Sequence, residues 1–290
     1  MFTDFTAETA PTQTPRAASP PPGAAADWTI DQDWGRFTPE DHRVWDLLFA
    51  RQQEMLSGRA VRAFAEGLDL LRLSRPGIPE LNELNERLLA RTGWTVVSVP
   101  GLVPDEIFFR HLSERRFPAG NFIRSAAQLD YLEEPDVFHD VFGHVPLLAQ
   151  PAFADFMQAL GREGLRALEL GQMHRLARLY WYSVEFGLAL EEGELKIFGA
   201  GILSSFGESR FSLESEIPHR SSFDIRRVLR TRYRSDAFQA CYFVADSLGH
   251  LLDDLLTADL LYLYRELENL PDLSPAESLV SASSVRRKNS

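Results

Sequence analysis

The apolar positions of this chain recur mostly at intervals of three and four residues, which predicts helix over most of its length. Thr38-Pro39-Glu40-Asp41 offers a cap, a first-turn proline and two acids at the positive end of a helix dipole, so a helix is predicted from there to about Leu56. Further helices are predicted over 59–73, and from Pro79 to a stop at Gly93. The β-branched run 94–99 predicts a short strand, and Pro104-Asp105 opens a helix carrying Ile107, Phe108 and Leu112. Two long helical patterns follow, over 151–168 and 173–190. Short strands are expected at 195–198 and around Cys241, with a helix near 222–231 between them. Asp246 is placed to cap a last helix, where Leu248, Leu251, Leu252, Leu255 and Leu256 keep helical spacing. The pattern therefore reads as mainly α with a few short β-strands, in a single domain. It shows no internal repeat, no regular βαβ alternation and no glycine fingerprint for a nucleotide.

One stretch breaks this apolar regularity with chemistry. Glu134-Pro135-Asp136-Val137-Phe138-His139-Asp140-Val141-Phe142-Gly143-His144 carries two histidines five apart. In one continuous α-helix they would sit about 140° apart round the axis and could not grip one small ion. Pro135 suits a first helical turn and Gly143 a left-handed helix stop, so a turn at Gly143 is expected to swing His144 back toward His139. Two converging imidazoles suit a transition metal, and a hydrogen-bonded structural pair is the alternative. A third group stands at 179–190, an apolar helical pattern whose one charge is Glu185, on a face with Ala177, Trp181 and Leu188. A carboxylate buried there must be protonated, paired with an arginine such as Arg178 or Arg124, or bound to a cation. Two histidines and one carboxylate would make a facial triad with open positions, suited to non-haem Fe(II).

Composition narrows the alternatives. Of 290 residues 44% are hydrophobic, enough for one well-filled core. The net charge of −12 argues against nucleic acid as a partner, so the run Arg226, Arg227, Arg230, Arg232 and Arg234 reads as a solvated face paired with acids. The single cysteine, Cys241, lies in an apolar segment and reads as a core residue; with no disulfide possible, a cytoplasmic location is expected. No apolar run approaches eighteen residues and the start is not a signal peptide, so no membrane association is expected. Residues 1–27, rich in Pro, Ala and Thr, read as a disordered lead; 28–270 read as the folded domain and 271–290 as a flexible tail. His42, His111, His174, His219 and His250 have polar neighbours and read as surface residues.

Three motifs in order carry a resemblance: Glu134-Pro135-Asp136-x-x-His139-Asp140-x-x-Gly143-His144-Val145-Pro146, Tyr180-Trp181-x-x-Val184-Glu185-Phe186-Gly187, and Gly199-Ala200-Gly201-x-Leu203-Ser204-Ser205-Phe206-Gly207-Glu208. From about Gly93 to about Asp246 the chain resembles the tetrahydrobiopterin-dependent aromatic amino acid hydroxylases, and its length and its 117–124 segment are most similar to the bacterial phenylalanine-hydroxylating members. The resemblance implies a single catalytic domain of that type, a non-haem Fe(II) held by His139, His144 and Glu185, a reduced tetrahydropterin and O2 as co-substrates, and conversion of L-phenylalanine to L-tyrosine. It implies Phe108, Val103, Asp105, Asp140, Ala177 and Tyr180 around the pterin. Asp140 stands where animal members carry Glu, and Leu132 replaces a threonine of animal phenylalanine hydroxylase. For the amino acid it implies Arg124 as carboxylate clamp, or as a partner of Asp136 or Glu134, or both. Pro135, His139, Trp181 and Phe186 would surround the ring, with Tyr131, Gly201 and Ser204 at the other end. Tryptophan or tyrosine hydroxylation within the family, and a helical scaffold with a structural zinc, are the competing readings; three ligands without a fourth disfavour the zinc. The regulatory domain and oligomerisation arm of animal members have no counterpart in the sequence, so a monomer is expected.

Overall fold

The fold is given by a computed structural model that describes residues 19–130 and 134–275. Helix α1 (Pro39–Leu56) begins where its cap predicts. The Thr38 hydroxyl accepts the Asp41 N–H at 3.2 Å, and the Asp41 carboxylate accepts the Thr38 N–H at 2.8 Å. This reciprocal pair satisfies two donors that a helix start otherwise leaves open. Trp45 and Phe49 on its inner face meet Phe138 and Phe142 edge-to-face, at 5.2 and 5.4 Å between ring centroids. The first helix thereby backs the histidine segment.

Helix α2 (Arg62–Leu71) starts later than its pattern suggests. Residues 59–61 bridge to a strand instead: the Arg59 carbonyl accepts the Ile197 N–H and the Val61 N–H returns to the Ile197 carbonyl, at 2.8 and 2.9 Å. Helix α3 (Leu81–Thr92) ends at Gly93, whose φ of 75° only glycine adopts freely. Strand β1 (Thr95–Val99), α4 (Asp105–Ser113) and β2 (Arg116–Gly120) then form a parallel pair with a helical crossover. The sequence did not predict β2, because Pro118 at its centre cannot donate to a ladder; a two-stranded sheet leaves an edge where that is tolerated. After a wide helical turn over Phe138–His144 come α5 (Val145–Leu148) and α6 (Pro151–Glu169). Helix α6 presses closely on α4: a Cβ at Gly164 would lie 2.1 Å from the Phe109 ring.

The helical pattern over 173–190 holds only in part. Helix α7 (Met173–Tyr180) passes into a second wide turn, Trp181–Glu185, and the chain then enters β3 (Leu188–Glu191). Strand β3 pairs antiparallel with β4 (Glu194–Ile197) across Glu192 and Gly193, at φ 55° and 83°. Two left-handed residues in a two-residue hairpin make a type I′ turn. Leu188 therefore sits in a strand, not on a helix face with Glu185. Next come α8 (Ala200–Leu203), α9 (Phe206–Glu214), β5 (His219–Ser222), α10 (Ile225–Val228) and β6 (Cys241–Ala245). The helix expected near 222–231 is thus one short turn behind an unpredicted strand. Strands run in the order β4-β3-β6-β5, with β6 parallel to both neighbours. Helix α11 (Leu248–Thr257) is capped by the Ser247 hydroxyl, not Asp246, and α12 (Leu260–Leu267) follows it.

Of the five histidines expected at the surface, His111 is buried, its Nε2 hydrogen-bonded to the Asp27 carbonyl at 2.8 Å; His42, His174 and His219 are half-buried and only His250 is exposed. Cys241 is buried, and burial pushes its thiol up to about 11. In the arginine run, Arg226 pairs with Glu266 and Arg234 with Asp236, at 3.0 and 2.7 Å. The predicted lead and tail lie largely outside the described residues; within them, Asp27 pairs with Arg116 at 2.8 Å and Asp272 with Arg178 at 2.6 Å. Among the described residues no helix is long and apolar enough to cross a membrane.

Candidate metal centre and substrate site

The histidine segment does not turn at Gly143. Helical winding starts at Val137, after Pro135, and continues through Gly143 in ordinary right-handed conformation. What brings the histidines together is the winding itself: Phe138–His144 is π-helical. Hydrogen bonds in a π-helix run i→i+5, so residues five apart stand nearly above one another, where an α-helix would splay them. His139 Nε2 and His144 Nε2 lie 3.2 Å apart. Gly143 is required for a different reason than a stop: a Cβ there would come within 2.9 Å of the Ala200 carbonyl, so its absence lets α8 pack against the turn.

Glu185 arrives from the second π-helical turn, which closes when the Phe186 N–H donates to the Trp181 carbonyl at 2.8 Å. Its Oε1 is 3.3 Å from His144 Nε2 and its Oε2 is 3.7 Å from His139 Nε2. Donors held cis around one ion at ~2.1 Å would lie ~3 Å apart, so the spacing fits a shared transition metal. His139, His144 and Glu185 are also the one such donor group among the described residues. The arginine partners considered for Glu185 are engaged elsewhere, Arg178 with Asp272 and Arg124 with Asp136.

Protonation favours a cation. Burial lowers His139 to about 4, against the opposing pull of Glu185, so its imidazole is neutral at pH 7. Burial alone would raise the Glu185 carboxyl; its contacts with His144 and then His139 outweigh this and lower it to about 2, so it stays ionised. The His139 tautomer follows from its neighbour. Ser204 donates its hydroxyl proton to the Ala200 carbonyl at 2.8 Å, so toward His139 it accepts, and Nδ1 at 2.8 Å carries the hydrogen. Nε2 is left with its lone pair facing the other two donors. The Tyr180 hydroxyl hydrogen-bonds Glu185, and burial together with that charge raises its phenol well above the ordinary range. Phe117 packs on the His144 ring at 4.9 Å.

Around this centre most of the expected residues assemble. The Trp181 and Phe186 rings lie 4.8 Å apart, and Gly201 makes room for them: a Cβ there would sit 2.8 Å from the Phe186 ring. Arg124 and Asp136 form a buried bidentate pair, Nε to Oδ2 and Nη2 to Oδ1, each at 2.9 Å. Asp136 also accepts the N–H groups of Arg124 and His139, so one carboxylate orients the arginine and caps the histidine turn. Burial works against its charge, but the Arg124 contacts hold its carboxyl below the usual range. Phe108 meets Tyr180 edge-to-face at 5.8 Å; Val103 and Asp105 flank the start of its helix, and Ala177 lies one turn before Tyr180. Asp140 accepts the Gly120 N–H at 2.8 Å, and burial raises it to about 6. Tyr131 and Leu132 lie outside the described residues. Sequence reasoning missed Phe117, Asp136 as a cap, and Gln239, which accepts the Trp181 indole N–H at 2.9 Å; a buried polar residue in an aromatic-rich segment was the available signal for the last.

Comparison with known proteins agrees with this geometry. Residues 33–259 match the biopterin-dependent aromatic amino acid hydroxylase family. The phenylalanine-4-hydroxylase of Caulobacter vibrioides is 55% identical over 89% of this chain and 87% of its own length. The iron- and phenylalanine-bound crystal structure of phenylalanine hydroxylase from Chromobacterium violaceum superposes with a TM-score of 0.82 at 47% identity, over 87% of this chain and 91% of that one. Another structure of the Chromobacterium violaceum enzyme, with iron(III) and oxidised 7,8-dihydrobiopterin, gives 0.82 at 49% identity, over 87% and 90%. The convergent triad and this similarity across nearly the whole described fold lead to one conclusion: the chain belongs to the biopterin-dependent aromatic amino acid hydroxylases.

Proposed function

We propose that the protein is an iron- and tetrahydropterin-dependent monooxygenase that hydroxylates L-phenylalanine to L-tyrosine with O2. The observation that carries this is the approach of two imidazole nitrogens and one carboxylate within 3.7 Å, with no arginine paired to the acid among the described residues. His139, His144 and Glu185 would hold the iron. When bound, iron and reduced pterin supply the redox chemistry, placing one atom of O2 in the product hydroxyl and reducing the other to water.

The chain supplies position and dryness. Arg124 receives the substrate carboxylate, its plane set by the bidentate pairing with Asp136, which leaves the Nη1 donors uncommitted to that carboxylate. Trp181, Phe186, Pro135 and the edge of His139 enclose the ring, while Gly201 and Ser204 border the amino-acid end. Phe108 offers a flat apolar face to the pterin, with Val103, Asp105, Asp140, Ala177 and Tyr180 around its edge. The buried aromatic shell of Phe117, Phe108 and Tyr180 keeps water from the metal side. Phenylalanine is favoured over tryptophan and tyrosine by the relatives, which carry phenylalanine hydroxylase names at 48–55% identity.

Purified protein given iron, tetrahydropterin and each of the three aromatic amino acids tests the reading. Tyrosine from phenylalanine is expected as the fastest reaction; preferential hydroxylation of tryptophan would overturn the substrate assignment. We place the protein in the cytoplasm, on the strength of its one buried, unpaired thiol. The proposed oligomeric state is a monomer, which gel filtration checks.

A further inference from the structure

Behind the Trp181 indole runs a buried polar chain that the chemistry above does not use. Trp181 Nε1 donates to Gln239 Oε1 at 2.9 Å, across 58 residues of sequence. Gln239 Nε2 donates in turn to the carbonyls of Arg234 and Ala237, at 2.8 and 3.2 Å. Every polar atom of that side-chain amide is thus engaged, and its orientation is fixed. Reversing it would set its NH2 against the indole N–H and its oxygen against two carbonyls. The Gln239 backbone N–H donates to Glu208 Oε1 at 3.0 Å, and the Tyr242 hydroxyl donates to the same oxygen. Gln239 and Glu208 are 3% and 4% exposed, so these bonds form away from water.

Two aromatic rings pack against the indole. Tyr233 stacks on it at 4.2 Å with a 15° interplanar angle, and Phe186 lies 4.8 Å away at 34°. Ring contacts of this kind fix a plane but not which edge of the indole faces which neighbour. A hydrogen bond is directional, and the one to Gln239 sets where the N–H edge of the indole points.

We propose that Gln239, anchored by Glu208, is the positioning residue that fixes the Trp181 indole as the wall of the aromatic substrate's ring site. This rests on the proposed reading of Trp181 as that wall. A wall that swings leaves the reacting ring carbon off its required place, so the effect falls on phenylalanine binding and on the yield of product per pterin oxidised. The pterin and metal donors do not touch Gln239 and stay as they are.

The test compares the iron-loaded wild type, Gln239→Met, Trp181→Phe, the double variant and Trp181→Ala. Gln239→Met is expected to raise the KM for phenylalanine by about five- to tenfold, the worth of one buried hydrogen bond. It is also expected to lower tyrosine formed per pterin consumed, with iron content and pterin KM unchanged. Because phenylalanine lacks the indole N–H, adding Gln239→Met to Trp181→Phe should change the KM by less than about twofold. Multiplying effects, an unmoved phenylalanine KM, or a loss confined to iron content would each overturn the proposal. If Trp181→Ala also leaves the phenylalanine KM unchanged, the ring-wall reading falls with it. If Trp181→Ala raises the KM and Gln239→Met does not, only the role of Gln239 falls. Should Gln239→Met fail to fold, the wild type still decides. Its indole N–H resonance, assigned by its loss in Trp181→Phe, must be protected from exchange and shift on phenylalanine binding. Exchange at the rate of an exposed tryptophan would sink the idea.

Discussion

Ser204 sets which nitrogen of His139 is available: by giving its own proton to Ala200 it can only accept from Nδ1, at 2.8 Å. The bond thus selects one of two tautomers, and the selected one faces Glu185 and His144. Replacing Ser204 by Ala leaves both tautomers accessible. Loss of an outer partner of this kind costs about 10- to 100-fold in metal affinity. Chelator competition on the variant is expected to show that loss in iron affinity; wild-type affinity would show that the serine is a bystander.

Glu185→Gln keeps the shape and removes the charge. The neutral amide is a far weaker ligand, and an iron held there would lose its one anionic protein donor. Iron content after anaerobic loading is expected to fall, and tyrosine formation with it. Unchanged iron stoichiometry and turnover would count directly against the triad.

Asp136 is wholly buried and bonded to both the side chain and the backbone of Arg124. Asp136→Asn would leave the guanidinium buried beside a neutral group. Breaking a buried pair from one side costs about 3–5 kcal/mol, which should appear as an earlier midpoint in chemical denaturation. The phenylalanine KM should rise as well, since Arg124 loses its orientation; a change in stability alone would separate Arg124 from the substrate.

Burial raises the Glu208 carboxyl above its ordinary 4.5, despite the hydrogen bonds from Tyr242 and Gln239. A raised folded value means that the folded state holds the proton more tightly than the unfolded chain. Its contribution to stability is therefore fully present below about 4.5 and is lost as pH rises through the folded value. Thermal unfolding of wild type and Glu208→Gln across pH 4 to 8 should show the wild type losing ground steadily as pH increases. Parallel curves would mean that the carboxyl titrates normally.

Much of the fold is written locally. The Thr38 capping box, the Gly93 stop and the β-branched run before Val99 each carry their own signal, and each element appears where that signal puts it. Strand β2 was hidden by Pro118, and β3 by apolar residues that continue a helical period past Glu185. There the glycine at 193 was the available signal, and the structure uses it in a two-residue hairpin turn. At the site, residue types were legible but the backbone was not. His139, His144 and Glu185 stand out by chemistry alone, yet the expectation of a helix break at Gly143 was wrong. Winding depends on how α8 and the α1 aromatics pack against the segment, and no local residue preference encodes that.

The two π-helical turns place the donor set through winding as much as through side-chain identity. Rewound as an ordinary α-helix, the same residues would carry the two imidazoles about 140° apart, with every donor still present in the sequence. Variants that restore ordinary winding there would be silent to any inventory of ligand types, yet would part the pair. A redesign of this centre on another scaffold has to match residue spacing to winding: five apart in a π-helical turn, four apart in an α-helix.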